Sequence, residues 1–467
     1  MTVASQPRAG DALLRILAFT LAISVMSGTM FNLALPEIMR TYRLSFGQVS
    51  WVTSSYLLIF AVGTVLYGKL ADNCRLKTLL TVGILLLSAG CVIGLTARSY
   101  ETVLAGRMIQ AAGSAVIPAM AGILPVRYFP PETRGRAIGI AMTGGAIGSA
   151  IGPAVAALLI GAVHWRYLFG VPMLTLLALP FYRIHLREEP RRARGSIDWL
   201  GGVLLAGFVA STLLAITNRA WTVAAGALLL LLLFALRTRR ARDPFIRPAL
   251  LRHSRYVAGL SLVFLSTSVS YALPFLSPQL LTQVHHLPSG WIGLAMMPAA
   301  VVTAALGHTG GKLADRHGNG PLFYAALLLY LACFALLSSF TGSAPPWIAL
   351  FLVFGNVGQS FAYIALSGTI SRMLPQDQVG IGMGILSMLN FIAGAVSASL
   401  YGTTVDRGAA EGWNPLQTQP GAFVYSNLYL VLSFVIIAMM IIYYAAMQRG
   451  RTSPSADAGL TERSDLS

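Results

Sequence analysis

Arg107 and Gln110 interrupt an apolar stretch over residues 101–125. A guanidinium in such surroundings either faces a polar cavity or reaches back to the outer interface. At the centre of a membrane helix it costs about 2.5–3.5 kcal/mol on insertion scales, so it needs water or a partner there. Asn32, Ser149, Asn356, Gln359, Tyr363 and Asn390 also fall within apolar stretches. With Arg107 and Gln110 they would suit a neutral, zwitterionic or anionic amphiphile, although each could equally make an interhelical hydrogen bond of about 0.6 kcal/mol. The aromatic residues Phe31, Tyr271, Phe275 and Phe361 read as packing before they read as a binding wall. No aspartate or glutamate lies in the interior of any apolar stretch, which removes the usual holder of cations and protons at membrane depth. His308 has an ordinary pKa of about 6.5 and is the candidate proton site. It stands close to the end of its stretch, where a satisfied interface histidine is the plainer reading.

The elements that must position these residues follow from composition. The chain has 467 residues, of which 56% are hydrophobic and 10% charged, and its mean hydropathy is +0.70. A soluble domain would carry about a quarter charged residues, so this is a polytopic membrane protein. Runs long enough to cross a hydrocarbon core of about 30 Å recur fourteen times. They cover 12–34, 49–68, 78–95, 101–125, 136–162, 166–184, 198–217, 221–236, 257–281, 289–310, 321–340, 347–369, 379–401 and 424–446. The expected fold is all-α. No nucleophile–base pair, phosphate loop or metal-type spacing appears, and Cys74, Cys91 and Cys333 are scattered, so neither an enzyme nor a metal site nor a cofactor is expected.

The net charge of +17 is a topology signal. Basic residues crowd alternate connections: Lys69, Arg75 and Lys77, then Arg127, Arg134 and Arg136, then Arg183 to Arg194, Arg237 to Arg255, Lys312 with Arg316, and Arg449 with Arg451. The positive-inside rule makes those connections cytoplasmic and puts both termini on the cytoplasmic side of a cell membrane. The partners expected are therefore the bilayer and a small-molecule substrate, with protons as a candidate coupling ion. Nucleic acid is not expected, and the chain reads as a monomer.

The phrase Gly68-Lys-Leu-Ala-Asp72 returns as Gly311-Lys-Leu-Ala-Asp315, followed by Arg316. Duplication predicts two six-span bundles, 12–184 and 257–446, with an inserted pair at 198–236 and a polar tail at 447–467. Each phrase reads as a short cytoplasmic turn, whose glycine allows close helix approach and whose aspartate can lock and release a neighbouring helix end. In the fifth span Gly144, Gly148 and Gly152 recur every fourth residue before Pro153, a spacing that lets two helices touch backbone to backbone.

These phrases resemble those of the major facilitator superfamily. Gly68 to Asp72 and its copy resemble the superfamily's loop signature, and Arg107 to Gly113 its fourth-helix motif. Gly148, Gly152 and Pro153 resemble the antiporter motif of its exporters. With Thr29 to Pro36, Trp51, Tyr56, Asp243-Pro-Phe and Val424 to Leu428, the resemblance narrows to fourteen-helix drug/proton antiporters, closest to Gram-positive tetracycline exporters. It implies an exporter working by alternating access, with Gly68, Asp72, Gly311, Asp315 and Arg316 as gating residues. The acidic positions of that group fall here on Ser27 or Gly28, Ser149 and Gly394, so proton coupling does not carry over with the fold. The competing reading is a scaffold or sensor that keeps the fold without transport.

Overall fold

The computed structural model describes residues 7–129, 131–186, 198–218, 220–241, 254–373, 379–417 and 419–448. Within these, the side chains of residues 7–11, 72, 73, 126, 131–139, 141, 142, 146, 150, 289, 304, 308, 315, 379–384, 447 and 448 lie outside the description. The described residues are helical apart from short connections, and 14 helices are long and apolar enough to cross a membrane. A bilayer offers no water to backbone amides, so a continuous apolar run satisfies its hydrogen bonds internally as helix.

The ends of several spans differ from the sequence expectation. The first helix runs Pro7–Tyr42, straight through Pro36. In apolar surroundings a proline bends a helix more readily than it ends one, because the alternative exposes several unpaired amides. The second helix, Phe46–Asn73, and the tenth, Ser289–His317, both include the repeated phrase, so Gly68 to Asp72 and Gly311 to Asp315 form last helical turns rather than loops. The turn proper begins at Cys74 in the first copy and at Gly318, with φ 86°, in the second. The fourth span is divided into Tyr100–Ser114 and Val116–Tyr128. The sixth is a chain of short α and 3-10 pieces from Trp165 to His185. The thirteenth helix, Val379–Arg407, extends past the predicted loop start at Thr403.

The first six spans pack on one another, as do the last six. The two groups meet chiefly through the second span against the thirteenth and the fifth against the tenth. Glycine sets the closest of the contacts inside the first group. A Cβ on Gly144 would run into the backbone of Ala18, and one on Gly148 into that of Ala22. The inserted pair, Trp199–Asn218 and Trp221–Arg240, is tied together by the Asp198–Arg237 ion pair at 3.0 Å. Its first helix bridges both groups: the Trp51 indole donates to Thr217 Oγ1 at 3.0 Å, and Thr217 shares a hydrogen bond with Ser399 at 3.0 Å.

Contacts between the bundles cluster towards the face opposite the basic connections. Ser54 donates to the Ala395 carbonyl at 2.9 Å, and Phe60 meets Phe391 edge-on at 4.7 Å. Nearer that face, Gly402 lies against Phe46 and Ser50, Gly293 against Ala157, and Gly161 against Gly290. The Asp406 carboxylate accepts from the backbone amides of Phe46 and Gly47, capping the second helix from the other bundle. Burial follows the same gradient: residues 52–58 of the second span are buried, whereas 62–66 are half-buried. Among the described residues, the bundles close at this face and are more exposed towards the basic one.

Candidate functional site

Arg107 is wholly buried on the first half of the fourth span. Its guanidinium carbon lies 4.0 Å from the centre of the Phe31 ring and 3.9 Å from that of Tyr56, so the first and second spans cover both faces of the plane. Both distances are well within the cation–π range, and desolvation strengthens the attraction. In the guanidinium plane, Nε donates to the Val52 carbonyl at 3.4 Å and Nη1 to Gln110 Oε1 at 2.6 Å. Gln110, one helical turn on, is itself buried and donates to Cys91 Sγ at 3.2 Å. The remaining nitrogen, Nη2, is buried without a hydrogen-bond partner.

A polar shell surrounds this centre. Thr53 donates to Asn32 Oδ1 at 3.1 Å, and Tyr271 of the ninth span lies beside both Asn32 and Arg107. Ser114, where the fourth span breaks, meets Ser24 at 2.8 Å and the Tyr56 hydroxyl at 3.4 Å. The Ser27 hydroxyl is buried with no hydrogen-bond partner. A Cβ at Gly28 would stand 3.7 Å from Tyr56, and one at Gly394 would stand 3.2 Å from Tyr271. Of the positions where carboxylates are missing, Gly28 and Gly394 thus lie against the rings that neighbour the arginine.

Asn32, Arg107 and Gln110 are therefore brought together, and the other sequence candidates are elsewhere. Ser149 is exposed on the fifth span, and no hydrogen bond joins it to Arg107. Gly148 and Gly152 face the first span, where a Cβ on Gly152 would meet the Thr29 hydroxyl, and Pro153 is half-buried inside the same helix. Asn356, Gln359 and Tyr363 lie on the twelfth helix, Pro345–Met373. At about 100° per residue, Asn356, Ser360 and Tyr363 point away from the exposed Trp347 and Leu350. Tyr363 is nonetheless 52% exposed. Asn390 accepts from Thr267 within the C-terminal bundle. Gly68 and Gly311 are half-buried and Arg316 is exposed, each at the basic end of its helix. The side chains of Asp72, Asp315 and His308 lie outside those described. Beside the first phrase, Arg127 donates to the Ala71 carbonyl at 2.8 Å.

Sequence reasoning missed Tyr56, Cys91 and Ser114 as members of the arginine's surroundings and set Phe31 and Tyr271 aside as packing. An unpaired arginine in an apolar helix was itself the available signal, because such a cation needs aromatic or dipolar neighbours. Among the described residues no group of three or more His, Cys, Asp or Glu could hold a metal ion.

The model of the Major Facilitator Superfamily matches residues 17–398. The chain belongs to this superfamily. It is 23% identical to the riboflavin transporter RibZ of Clostridioides difficile (strain 630) over 83% of this chain and 86% of that one. It is 24% identical to the methylenomycin A resistance protein of Bacillus subtilis (strain 168), over 85% of this chain and 88% of that one. In fold it is similar to a bacterial homologue of the human lysosomal transporter Spinster, crystallised inward-facing and unoccupied, with TM-score 0.65, 15% identity and coverage of 95% and 98%. A D-xylose–proton symporter gives TM-score 0.67 at 12% identity, covering 93% of this chain and 97% of that one. As a member of the superfamily the chain is a membrane transporter and not an enzyme.

Proposed function

We propose that the chain exports an amphiphilic small molecule by alternating access, on the scaffold of the fourteen-helix drug/proton antiporter group but without that group's intramembrane acids. The observation that carries this reading is the position of the Arg107 centre beneath the face where the two bundles meet. A ligand reaching it from one side can leave on the other only if those contacts open, which is the motion alternating access requires. The basic connections support a cytoplasmic location for the parted face and for both termini, so this conformation is the inward-open one. Outward movement is supported by the glycine seam of the fifth span, whose motif resembles that of exporters, and by similarity to a resistance protein.

Purified protein in liposomes, loaded with an anionic, a neutral or a cationic aromatic amphiphile, tests the reading. At least one compound is expected to cross faster than in protein-free liposomes, and Gly152→Trp, which forces the first and fifth spans apart at Thr29, is expected to stop it in protein that still elutes as a folded species. No movement of any compound, or equal movement with Gly152→Trp, would remove the reading.

A further inference from the structure

Arg107 presents a buried positive charge whose contacts are a carbonyl, a carboxamide and two rings, with no carboxylate among them. Nη2 is left over, wholly buried, and Ser27 Oγ on the neighbouring first span is also unpaired. Aromatic faces and single dipoles reduce the cost of such a charge without cancelling it, and a donor left unmade in the interior keeps its full desolvation penalty. What completes the site is one anionic group. An acid on the protein would have done so, but glycines stand beside its ring neighbours, Gly28 next to Tyr56 and Gly394 next to Tyr271.

We infer that the exported compound is a monoanion, with a carboxylate or sulfonate that pairs with Arg107 Nη2 and an apolar, ring-bearing body that follows Phe31 and Tyr56. This rests on the export reading above and names its substrate class. Tyr271, half-buried beside Arg107 and Asn32, is the ring that the opposite bundle brings to this ligand. The binding energy of the ion pair is then shared between the bundles, because the ligand meets Arg107 on one and Tyr271 on the other. Neutral compounds can accept from Nη2 but gain no charge pairing, and cations are repelled.

The same assignment gives the driving force. Each cycle carries one negative charge outward and returns the empty carrier, and no co-substrate is consumed. In a cell that is negative inside, this moves the anion down the electrical gradient, with an equilibrium concentration ratio of about 50-fold per 100 mV. Proton-binding acids at membrane depth are then unnecessary, which accounts for their absence around Arg107.

Three compounds of one shape and different charge test the inference: naphthalene-2-sulfonate, naphthalene-2-sulfonamide and 2-naphthylmethylammonium. Purified full-length protein is expected to bind the sulfonate at least tenfold more tightly than the sulfonamide and the ammonium compound least. Arg107→Gln should bring the three within about threefold, Arg107→Lys should keep the order, and Gly28→Asp, which places a carboxylate beside Tyr56, should reverse it. In liposomes carrying a valinomycin-clamped potassium potential, sulfonate accumulation should follow the potential in the ratio given above. Equal binding of the three compounds by the unaltered chain, an order unchanged in both Arg107→Gln and Gly28→Asp, or accumulation indifferent to potential would each overturn the inference. Movement of the ammonium compound or the sulfonamide without the sulfonate would overturn it while leaving export intact; movement of none would end both readings.

Discussion

Phe31 and Tyr56 hold the arginine at 4.0 and 3.9 Å, and a desolvated cation–π contact is worth about 2 kcal/mol. Tyr56→Leu is therefore expected to lower the stability of the purified protein by about 2–3 kcal/mol, while Tyr56→Phe, which keeps the ring and loses the hydroxyl's 3.4 Å contact to Ser114 and its approach to Ser27, should cost under about 1 kcal/mol. Thermal unfolding in detergent reads the difference, and equal losses in the two variants would show that the ring face contributes nothing. Arg107, Gln110 and Asn32 were legible in the sequence because polar side chains in apolar runs are costly. Their ring partners were not, because aromatic residues are common in any helical core. A second prediction concerns His164, in the turn between the fifth and sixth spans, which is held below its ordinary pKa chiefly by burial, with the Arg166 guanidinium adding and Glu37 opposing. The folded chain thus favours the neutral imidazole. This contribution is complete above the unfolded value of about 6.5 and is lost as pH falls through the lower folded value. His164→Asn should flatten the decline in unfolding temperature between about pH 7 and 5; an unchanged slope would assign the acid sensitivity elsewhere.

Among elements, the tightest constraint is the seam between the first and fifth helices. Gly148→Val would drive a side chain into the Ala22 backbone, which cannot rotate away, and should abolish folded yield. Gly145→Ala is the control: its Cβ would meet Leu21 and Val25 at 3.6 Å, an ordinary contact, and the yield should be unchanged. Size-exclusion recovery of the two variants decides this. The second span and the thirteenth are held differently, by the Asp406 carboxylate on two backbone amides. Asp406→Asn removes charge assistance worth about 1–2 kcal/mol and should favour opening of this face about 5- to 30-fold. A cysteine in place of the buried Ser50, next to Gly402, should then react several-fold faster with an impermeant maleimide; an unaltered rate would mean the cap does not hold the face shut. The existence of every span was legible from hydropathy, since length and apolarity alone demand a helix in a bilayer. Their ends were not. Pro36 lies inside the first helix, and both repeated phrases continue as helix, because capping depends on neighbours that a sequence does not display.

At the scale of the molecule, the first six and last six spans and the pair between them meet, among the described residues, at the face opposite the basic connections. Which end is shut is a property of one conformation and leaves no mark in composition. If the closed face is a gate, holding it shut must stop transport. Gly161 and Gly290 face each other there across the bundles: a Cβ on Gly161 would lie 3.7 Å from the Cα of Gly290, within reach of a disulfide. Cys91 and Cys333 are buried, so only the exposed Cys74 needs replacement. The decisive measurement is liposome flux through Gly161→Cys/Gly290→Cys protein before and after oxidation, with bond formation followed by mass. Alternating access predicts flux that falls to background when the bond forms and returns on reduction, with each single cysteine variant unaffected. Undiminished flux through fully cross-linked protein would contradict it.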